Sequence, residues 1–334
     1  MRKHVPIIIS TVVGVVIIVV LFRFVNPLGV VGQLGRLGPV GVPVFLANAL
    51  AILILGSCGW QVMLRAYGFR IPFRDVVGIK IVGFAVSYLT PSMYVGGEPV
   101  RVYVLSRKHG ISDTTVAATV VVDKFLELAA GLLFVFLGSV WSLVVYDLPL
   151  QLFLGLAVLN GLFAAGMILL FVSFVYRIRA LTGVIDALGK IRVLAASMQK
   201  CRPWVARMEN EVHVAFAQRR LHAVLAFALH LAAGWLIFIK PAIFFSFLKT
   251  MLTVSQLALV FALTHVLLAF QFTPAALGLF ELGEVGIYRL VGIGPEQALA
   301  FALMVRVGDF MGVLIAAAVG VSLGIALLRA RNRE

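Results

Sequence analysis

The chain has 334 residues, of which 62% are hydrophobic and only 13% are charged. This composition excludes an ordinary soluble globular domain and predicts an all-α polytopic membrane protein. The net charge of +14 would suit a nucleic-acid-binding protein, but basic cytoplasmic loops and anionic lipid headgroups explain it better, and we expect no nucleic-acid partner. Cys58 and Cys201 lie far apart and at no metal or redox spacing, so no disulfide framework is expected. The sequence shows no phosphate-loop or zinc pattern, and we expect neither a metal nor a cofactor.

Four apolar runs in the first part of the chain predict spanning helices. The first covers residues 5–22 and precedes a predicted external loop at 26–43, which is rich in glycine and proline. The other three cover residues 44–64, 114–141 and 150–176. Basic residues flank the start of the first run and the end of the second, which places both of these ends in the cytoplasm.

Residues 75–109 contain one apolar run that is broken at Thr90-Pro91 and followed by Gly96-Gly97. The proline removes a helix hydrogen bond, and adjacent glycines make a continuous helix still less favourable. The segment after Gly97 is too polar to cross a bilayer, and both ends of the region are basic. We predict a re-entrant helical hairpin that enters and leaves from the cytoplasm.

Residues 177–220 differ from the rest of the chain because they hold nine Lys or Arg against three acids. Ile178, Leu181 and Ile185 recur at helical spacing within this segment. The pattern predicts an amphipathic, basic helix on the inner membrane surface. A solvated linker is the alternative.

The last third of the chain predicts two more spans, at residues 221–247 and 296–328, with a second break between them. Thr273-Pro274 separates the apolar run at 254–272 from the one at 275–291. These two limbs form either a second re-entrant hairpin, which would enter from outside, or two full spans. The basic end of the chain places the C-terminus in the cytoplasm.

The two breaks are followed by a similar order of residues. Glu98 and Glu281 each lie seven residues after their proline, and Asp123 falls opposite Arg306 when the halves are aligned. This order predicts an inverted repeat, a common architecture of secondary transporters. Two unrelated membrane prolines are the alternative.

The predicted protein has about six spanning helices plus two re-entrant hairpins, crosses the cell membrane several times and has both termini in the cytoplasm. Its parts are an N-terminal helix and loop at 1–43, a first repeat at 44–176, a basic cytoplasmic segment at 177–220 and a second repeat at 221–334.

Ionisable side chains at membrane depth are costly and usually functional. Asp123 lies about ten residues into its helix, roughly 15 Å along it. The charges around both breaks predict a polar cavity that binds a charged headgroup, or a proton pathway through the carboxylates. Structural ion pairs of Arg306 with Asp309 or with Asp123 are the alternative. The candidate binding residues are Thr90, Pro91, Gly96, Gly97, Glu98, Arg101, Asp123, Glu127, Thr273, Pro274, Glu281, Glu284, Arg306 and Asp309.

The runs TPSMYVGGEPVR, VVDKFLE, FTPAALGLFELGE and MVRVGDF resemble the lysylphosphatidylglycerol synthase transmembrane family, also called the flippase-like domain family. The resemblance extends over roughly residues 5–328. It implies a membrane domain that moves or presents lipids and that is fused in some members to a soluble aminoacyl transferase or glycosyltransferase. This chain carries neither of those domains, so the family name implies no enzymatic activity here.

Three functions are compatible with these features. The first is a lipid translocase, a transporter and not an enzyme, for an aminoacyl-phospholipid or a polyprenyl-phosphate-linked sugar. The second is a non-catalytic membrane partner of a cytoplasmic glycosyltransferase or aminoacyltransferase on another chain. The third, an intramembrane enzyme using Asp123 and Glu127, is disfavoured because no nucleophile or metal set accompanies these acids.

Overall fold

The computed structural model describes residues 5–90, 96–145, 150–191, 194–269 and 273–331. In these ranges the regular secondary structure is helical and contains no strand, which confirms the predicted all-α class. The helices are α1 (Val5–Phe24), α2 (Pro27–Gly35), α3 (Gly38–Ala66), α4 (Phe73–Leu89), α5 (Glu98–His109), α6 (Asp113–Val145), α7 (Leu150–Val175), α8 (Ala180–Leu188), α9 (Ala195–Gln218), α10 (Arg220–Phe247), α11 (Val254–Ala269), α12 (Leu279–Leu290) and α13 (Pro295–Arg331), with a 3-10 turn at Pro274–Ala276.

Within the described ranges, three helical segments are long and apolar enough to cross a membrane: Gly38–Ala66, Arg220–Phe247 and Pro295–Gly324. Two bent pairs raise the number to five if each pair is one span. One pair is the end of α1 with α2, bent by 89°, and the other is the end of α7 with α8, bent by 112°. The sixth span remains a prediction.

Most of residues 26–43 is helical, contrary to the predicted loop: α2 covers Pro27–Gly35, and α3 begins at Gly38. The side chain of Asn26 accepts a hydrogen bond from the Leu28 amide at 3.1 Å, and Pro27 occupies the first turn of α2, where its missing N–H costs nothing. The chain turns at Gly38, with φ of +60°, directly into α3. The cap and the first-turn proline therefore stabilise α2 although its sequence is rich in glycine. This short helix packs on α13.

Each predicted break separates two helices that pack against each other, α4 with α5 and α11 with α12. These four helices have 17, 12, 16 and 12 residues. At 1.5 Å per residue they are about 18–26 Å long, shorter than the roughly 30 Å hydrocarbon core of a bilayer. Pro91 itself lies outside the described residues.

The basic segment contains two helices, α8 and α9, and α9 packs on α6, α7 and α8. Its apolar face buries Met208, Val212 and Phe216. Glu209 is also buried. Its carboxylate accepts hydrogen bonds from the amides of Leu181 and Thr182 at 2.6 and 3.1 Å, which compensate its burial and cap the start of α8. These contacts order the segment, so a freely solvated linker does not describe it.

Gly97, at the start of α5, lies directly against Gly83 in α4. A methyl group on Gly97 would lie 1.8 Å from the Gly83 carbonyl oxygen, and one on Gly83 would lie 2.7 Å from the Arg101 side chain. The Gly97 amide donates to the Ser87 hydroxyl at 2.8 Å. The pair of glycines therefore brings α5 close enough to α4 to aim Arg101 between the helices.

We expect Gly97→Ala to destabilise the protein by about 1–3 kcal/mol or more, because the added methyl overlaps backbone that cannot move independently. Gly161→Ala is the matched control, since its methyl would meet nothing within 4 Å on α7. Melting curves of the two purified variants compare them directly. Equal melting temperatures would show that α4 and α5 do not approach as described.

Candidate functional site

Asp123 on α6 is the centre of the first buried charge cluster. Its carboxylate is fully buried and accepts hydrogen bonds from Arg101 Nη2 on α5 at 2.6 Å and from Lys80 Nζ on α4 at 3.2 Å. His230 Nε2 on α10 lies 3.0 Å from its other oxygen. Lys80 also donates to the Gly56 carbonyl at 2.7 Å. One acid thus ties α4, α5 and α10 to α6 and compensates two cations.

Arg101 is held in place by aromatic stacking as well as by charge. Its guanidinium carbon lies 4.1 Å from the centre of the Trp60 ring, within the range of a cation–π contact. The Trp60 indole donates to the Thr119 hydroxyl at 3.2 Å, which fixes the ring. Arg101 Nε is buried without a partner among the described residues.

Three charged side chains extend the first cluster away from Asp123. Lys124 Nζ lies 3.0 Å from Glu127 and 3.9 Å from Glu98, and Lys80 Nζ lies 3.9 Å from Glu127. Glu98 keeps one buried carboxylate oxygen without a partner in the described part of the chain. On α5, Glu98 Oε2 can therefore still accept a hydrogen bond, and Arg101 Nε can still donate one.

Arg306 on α13 is the centre of the second cluster. Its Nε donates to Glu281 on α12 at 2.7 Å, and its Nη1 donates to the Tyr88 hydroxyl on α4 at 2.8 Å. The same guanidinium donates to the carbonyls of Ala275, through Nη1, and of Ala276, through Nη2 at 3.2 Å. All three nitrogens are therefore used, and two of the bonds satisfy backbone of the second break.

The backbone of that break is held in an uncommon conformation. Ala275 and Ala276 have φ of +56° and +51°. This left-handed region is unfavourable for every residue that carries a side chain. Gly278 follows with φ of +79°, and its amide donates to the second Glu281 oxygen at 2.8 Å. Glu281 thus binds both Arg306 and the start of α12.

Both clusters border a cavity of about 520 Å³ between the helices on either side of the breaks. The Tyr88 ring lies at the contact between the halves, because it sits on α4 yet binds Arg306. Besides apolar side chains, the walls carry Lys80, Glu98, Arg101, Lys124, Glu127, His230, Lys240, His265, Glu284, Tyr288, Arg306 and Asp309. Such an enclosure, mainly apolar with convergent polar groups, is typical of ligand sites.

The structure places the predicted site residues in three groups. Six line the cavity, namely Glu98, Arg101, Glu127, Glu284, Arg306 and Asp309. Asp123 and Glu281 are buried behind it as counterions. The remaining described ones, Thr90, Gly96, Gly97, Thr273 and Pro274, shape the breaks; for example, the Thr273 hydroxyl donates to the Leu277 carbonyl at 3.0 Å. Pro91 again falls outside the described residues.

Both ion pairs considered for Arg306 are wrong. The partner of Arg306 is Glu281, and the partners of Asp123 are Arg101, Lys80 and His230. Residue spacing along one helix could not reveal these partners, because Asp123 pairs with α5 and Arg306 pairs with α12, the helices that follow the two breaks.

Sequence reasoning missed Lys80 and Lys240 as cavity residues. Each lies within an apolar stretch of its helix, and an isolated cation in an apolar stretch is the signal that could have identified them. His230 is also buried, and its Nε2 lies 3.0 Å from Asp123.

Comparison with known proteins adds the family. The chain is 32% identical over 119 residues to a UPF0104 membrane protein of Methanothermobacter thermautotrophicus, a match that covers 36% of this chain and 35% of that protein. It is 33% identical over 93 residues to one of Methanocaldococcus jannaschii, covering 27% and 28%. A third, of Pyrococcus horikoshii, is 21% identical over 276 residues and covers 77% and 79%. The first two matches thus span about a third of those relatives.

The family model for the lysylphosphatidylglycerol synthase TM region matches residues 7–327, nearly the whole chain. This stretch includes both breaks, both charge clusters and the walls of the cavity. The chain therefore belongs to the lysylphosphatidylglycerol synthase TM region family.

Proposed function

We propose that this membrane protein is a lipid translocase that moves a polar or phosphate-bearing headgroup through the cavity between its halves. The observation that carries the proposal is the cavity itself, which is mainly apolar yet brings charged groups from both sides of the two breaks together. Acyl or isoprenoid chains would remain in the bilayer while the headgroup exchanges water for the charged walls. Arg101 suits a phosphate because its planar guanidinium can bind two oxygens.

The short helices on either side of each break support two re-entrant hairpins over four additional spans. Each limb is shorter than a bilayer core, and each break carries carbonyls or amides that are satisfied by side chains of the protein. We therefore retain six spans and an inverted repeat as part of the proposal.

The translocase is tested by incorporating the purified protein into liposomes and measuring how fast labelled headgroups become accessible on the opposite face. We expect Glu98→Gln to slow this rate about tenfold or more, since a hydrogen bond to a charged group contributes about 1.5–3 kcal/mol. Melting behaviour should change little, because Lys124 keeps Glu127 at 3.0 Å.

Glu211→Gln on α9, away from the cavity walls, is the matched control and should transport as the unmodified protein does. If Glu98→Gln moved headgroups at the wild-type rate, Glu98 would have no role in transport. No headgroup movement by the unmodified protein would contradict the translocase itself.

The topology has a separate test in intact cells. We expect Ala195→Cys to be protected from an impermeant thiol reagent, and Arg36→Cys and Asp147→Cys to be labelled, in a background without Cys58 and Cys201. The reason is the excess of basic residues in 177–220, which favours the cytoplasmic side. Labelling at position 195 without permeabilisation would overturn the proposed orientation and, with it, the inverted repeat.

A second candidate function is a membrane partner of a cytoplasmic transferase. The exposed basic side chains of Lys200, Arg202 and Arg207 on α9 favour it, since they offer a charged surface for docking. Headgroup movement by the purified protein alone separates the two functions, because a scaffold would move no lipid without its partner.

A further inference from the structure

Glu284 on α12 is a buried acid that has no cation beside it. It lines the cavity on the helix that follows the second break, and it is fully buried. One carboxyl oxygen, Oε1, accepts a hydrogen bond from the Thr264 hydroxyl on α11 at 2.7 Å. The other oxygen, Oε2, is buried without a partner among the described residues. Native proteins rarely leave a buried polar atom unpartnered, so this oxygen needs an explanation.

The helices around α12 supply no positive charge to Glu284. α12 packs on α1, α11 and α13, and in the described part of the chain no Lys, Arg or His nitrogen lies within 4.0 Å of the Glu284 carboxyl group. Arg306 on α13 is bonded to Glu281 instead, at 2.7 Å. Lys240 and His230 belong to α10, which borders the same cavity. The other titratable groups with described side chains on the packed helices are Arg23 on α1, His265 on α11, Glu281, Tyr288 and Arg289 on α12, and Glu296 and Asp309 on α13.

The neutral form of Glu284 fits these surroundings. Burial of an unpaired carboxylate is far more costly than burial of a neutral polar group, and one hydrogen bond does not replace the hydration of two oxygens. A metal ion needs several ligands, and the described residues contain no group of three or more His, Cys, Asp or Glu side chains that could hold one. Glu284 is therefore protonated, with Oε1 as the carbonyl oxygen that Thr264 binds and the proton on Oε2.

Two other acids show how this chain stabilises an ionised carboxylate. Asp123 lies 2.6 Å from Arg101, and Glu281 lies 2.7 Å from Arg306. Glu284 follows Glu281 by only three residues on α12 and has no such partner. An uncompensated acid on the wall of a cavity within a membrane protein is typical of a site that binds and releases a proton.

Tyr288 lies one helical turn after Glu284, on the same face of α12. Its ring contacts those of Phe245 and Phe301, with ring centres 5.0 and 5.3 Å apart, and its hydroxyl is buried without a partner in the described ranges. Tyr288 also lines the cavity. When Glu284 is protonated, this face of α12 offers two hydrogen-bond donors to the oxygens of a phosphate, whereas an ionised Glu284 would repel them.

We propose that Glu284 is a proton-binding site and that its proton accompanies an anionic phosphate headgroup through the cavity. The proton passes from water on the entry side to Oε2, and it passes from Oε2 to water on the exit side when the cavity opens and the headgroup leaves. Each headgroup is thus moved with one proton in the same direction. This inference rests on the proposed translocase and adds a proton gradient as its source of energy.

Proton binding is tested without transport, by infrared spectroscopy of the purified full-length protein at neutral pH. We expect the carbonyl stretch of a protonated carboxyl group, and Glu284→Gln should lack it. Thr264→Val should shift this band to higher frequency, because the carbonyl oxygen loses its hydrogen bond, and this variant decides the question if Glu284→Gln does not accumulate. Glu211→Gln on α9 is the matched control and should keep the band unchanged. A band that neither Glu284→Gln nor Thr264→Val alters would overturn the proton site.

Coupling is tested in phosphatidylcholine liposomes with a trace of labelled phosphatidylglycerol, while potassium and valinomycin clamp the membrane potential. A difference of one pH unit is equivalent to about 1.36 kcal/mol, so cotransport of one proton should enrich the labelled lipid about tenfold in the leaflet on the alkaline side. In Glu284→Gln the pH gradient should no longer change the distribution, whereas Glu211→Gln should respond as the unmodified protein does.

The two failures are distinguishable. Headgroup movement that follows a sodium gradient, or that no gradient biases, would overturn proton coupling and leave the translocase intact. If the unmodified protein moved no headgroup, the translocase would be contradicted, and the infrared band would still decide whether Glu284 binds a proton.

Discussion

Asp123→Asn is expected to have the largest effect of any single substitution at the first cluster. The carboxylate is fully buried and lies within 3.2 Å of both Arg101 Nη2 and Lys80 Nζ, so its neutralisation leaves two buried cations with reduced compensation. Removing one partner of a buried ion pair typically costs about 3–5 kcal/mol. Melting curves and yield of purified Asp123→Asn should both fall clearly, and headgroup movement should be lost.

A double-substitution cycle identifies the true partner of Asp123. Because Lys80 and Asp123 are in contact, Lys80→Met should restore part of the stability lost in Asp123→Asn. Arg306→Met provides the control, since Arg306 pairs with Glu281, and its effect should add to that of Asp123→Asn. Rescue by Arg306→Met, without rescue by Lys80→Met, would contradict the described pairing.

Arg306→Lys should destabilise the second break nearly as much as Arg306→Met does. Lysine keeps the charge, but its single nitrogen cannot reach Glu281, Tyr88 and the carbonyls of Ala275 and Ala276 together, as the three guanidinium nitrogens do. We expect a loss of about 3–5 kcal/mol in Arg306→Met. In Arg306→Lys, hydrogen exchange of peptides covering residues 273–278 should become faster.

Arg289→Lys, on the exposed end of α12, is the control for a change of arginine to lysine alone. Its exchange pattern should match that of the unmodified protein. Unchanged exchange at 273–278 in Arg306→Lys would mean that the left-handed turn at Ala275 and Ala276 is stable without the guanidinium.

The two charge clusters have the same arrangement of helices, but the positions of the acid and the arginine are exchanged. In the first half the long helix α6 supplies the acid, Asp123, and the helix after the break supplies Arg101. In the second half the long helix α13 supplies Arg306, and the helix after the break supplies Glu281. This correspondence supports the proposed repeat, because each half joins its long helix to its post-break helix by one buried ion pair.

Local chemistry in the sequence determined the helical class, the two breaks and six of the charged residues that line the cavity. Proline cannot continue a helix, and long apolar runs have few other structures available, so the breaks near Thr90 and Thr273 were predictable from composition alone. Glu98, Arg101, Glu284 and Arg306 stood out because charges are rare in apolar segments.

Only the tertiary structure decided which charges meet. Lys80, Asp123 and His230 are separated by 43 and 107 residues along the chain, and they converge because α4, α6 and α10 pack around one point. Arg306 reaches Tyr88 across 218 residues for the same reason. Spacing along one helix specifies which side chains share a face, whereas the partner of a buried charge depends on how separate helices pack.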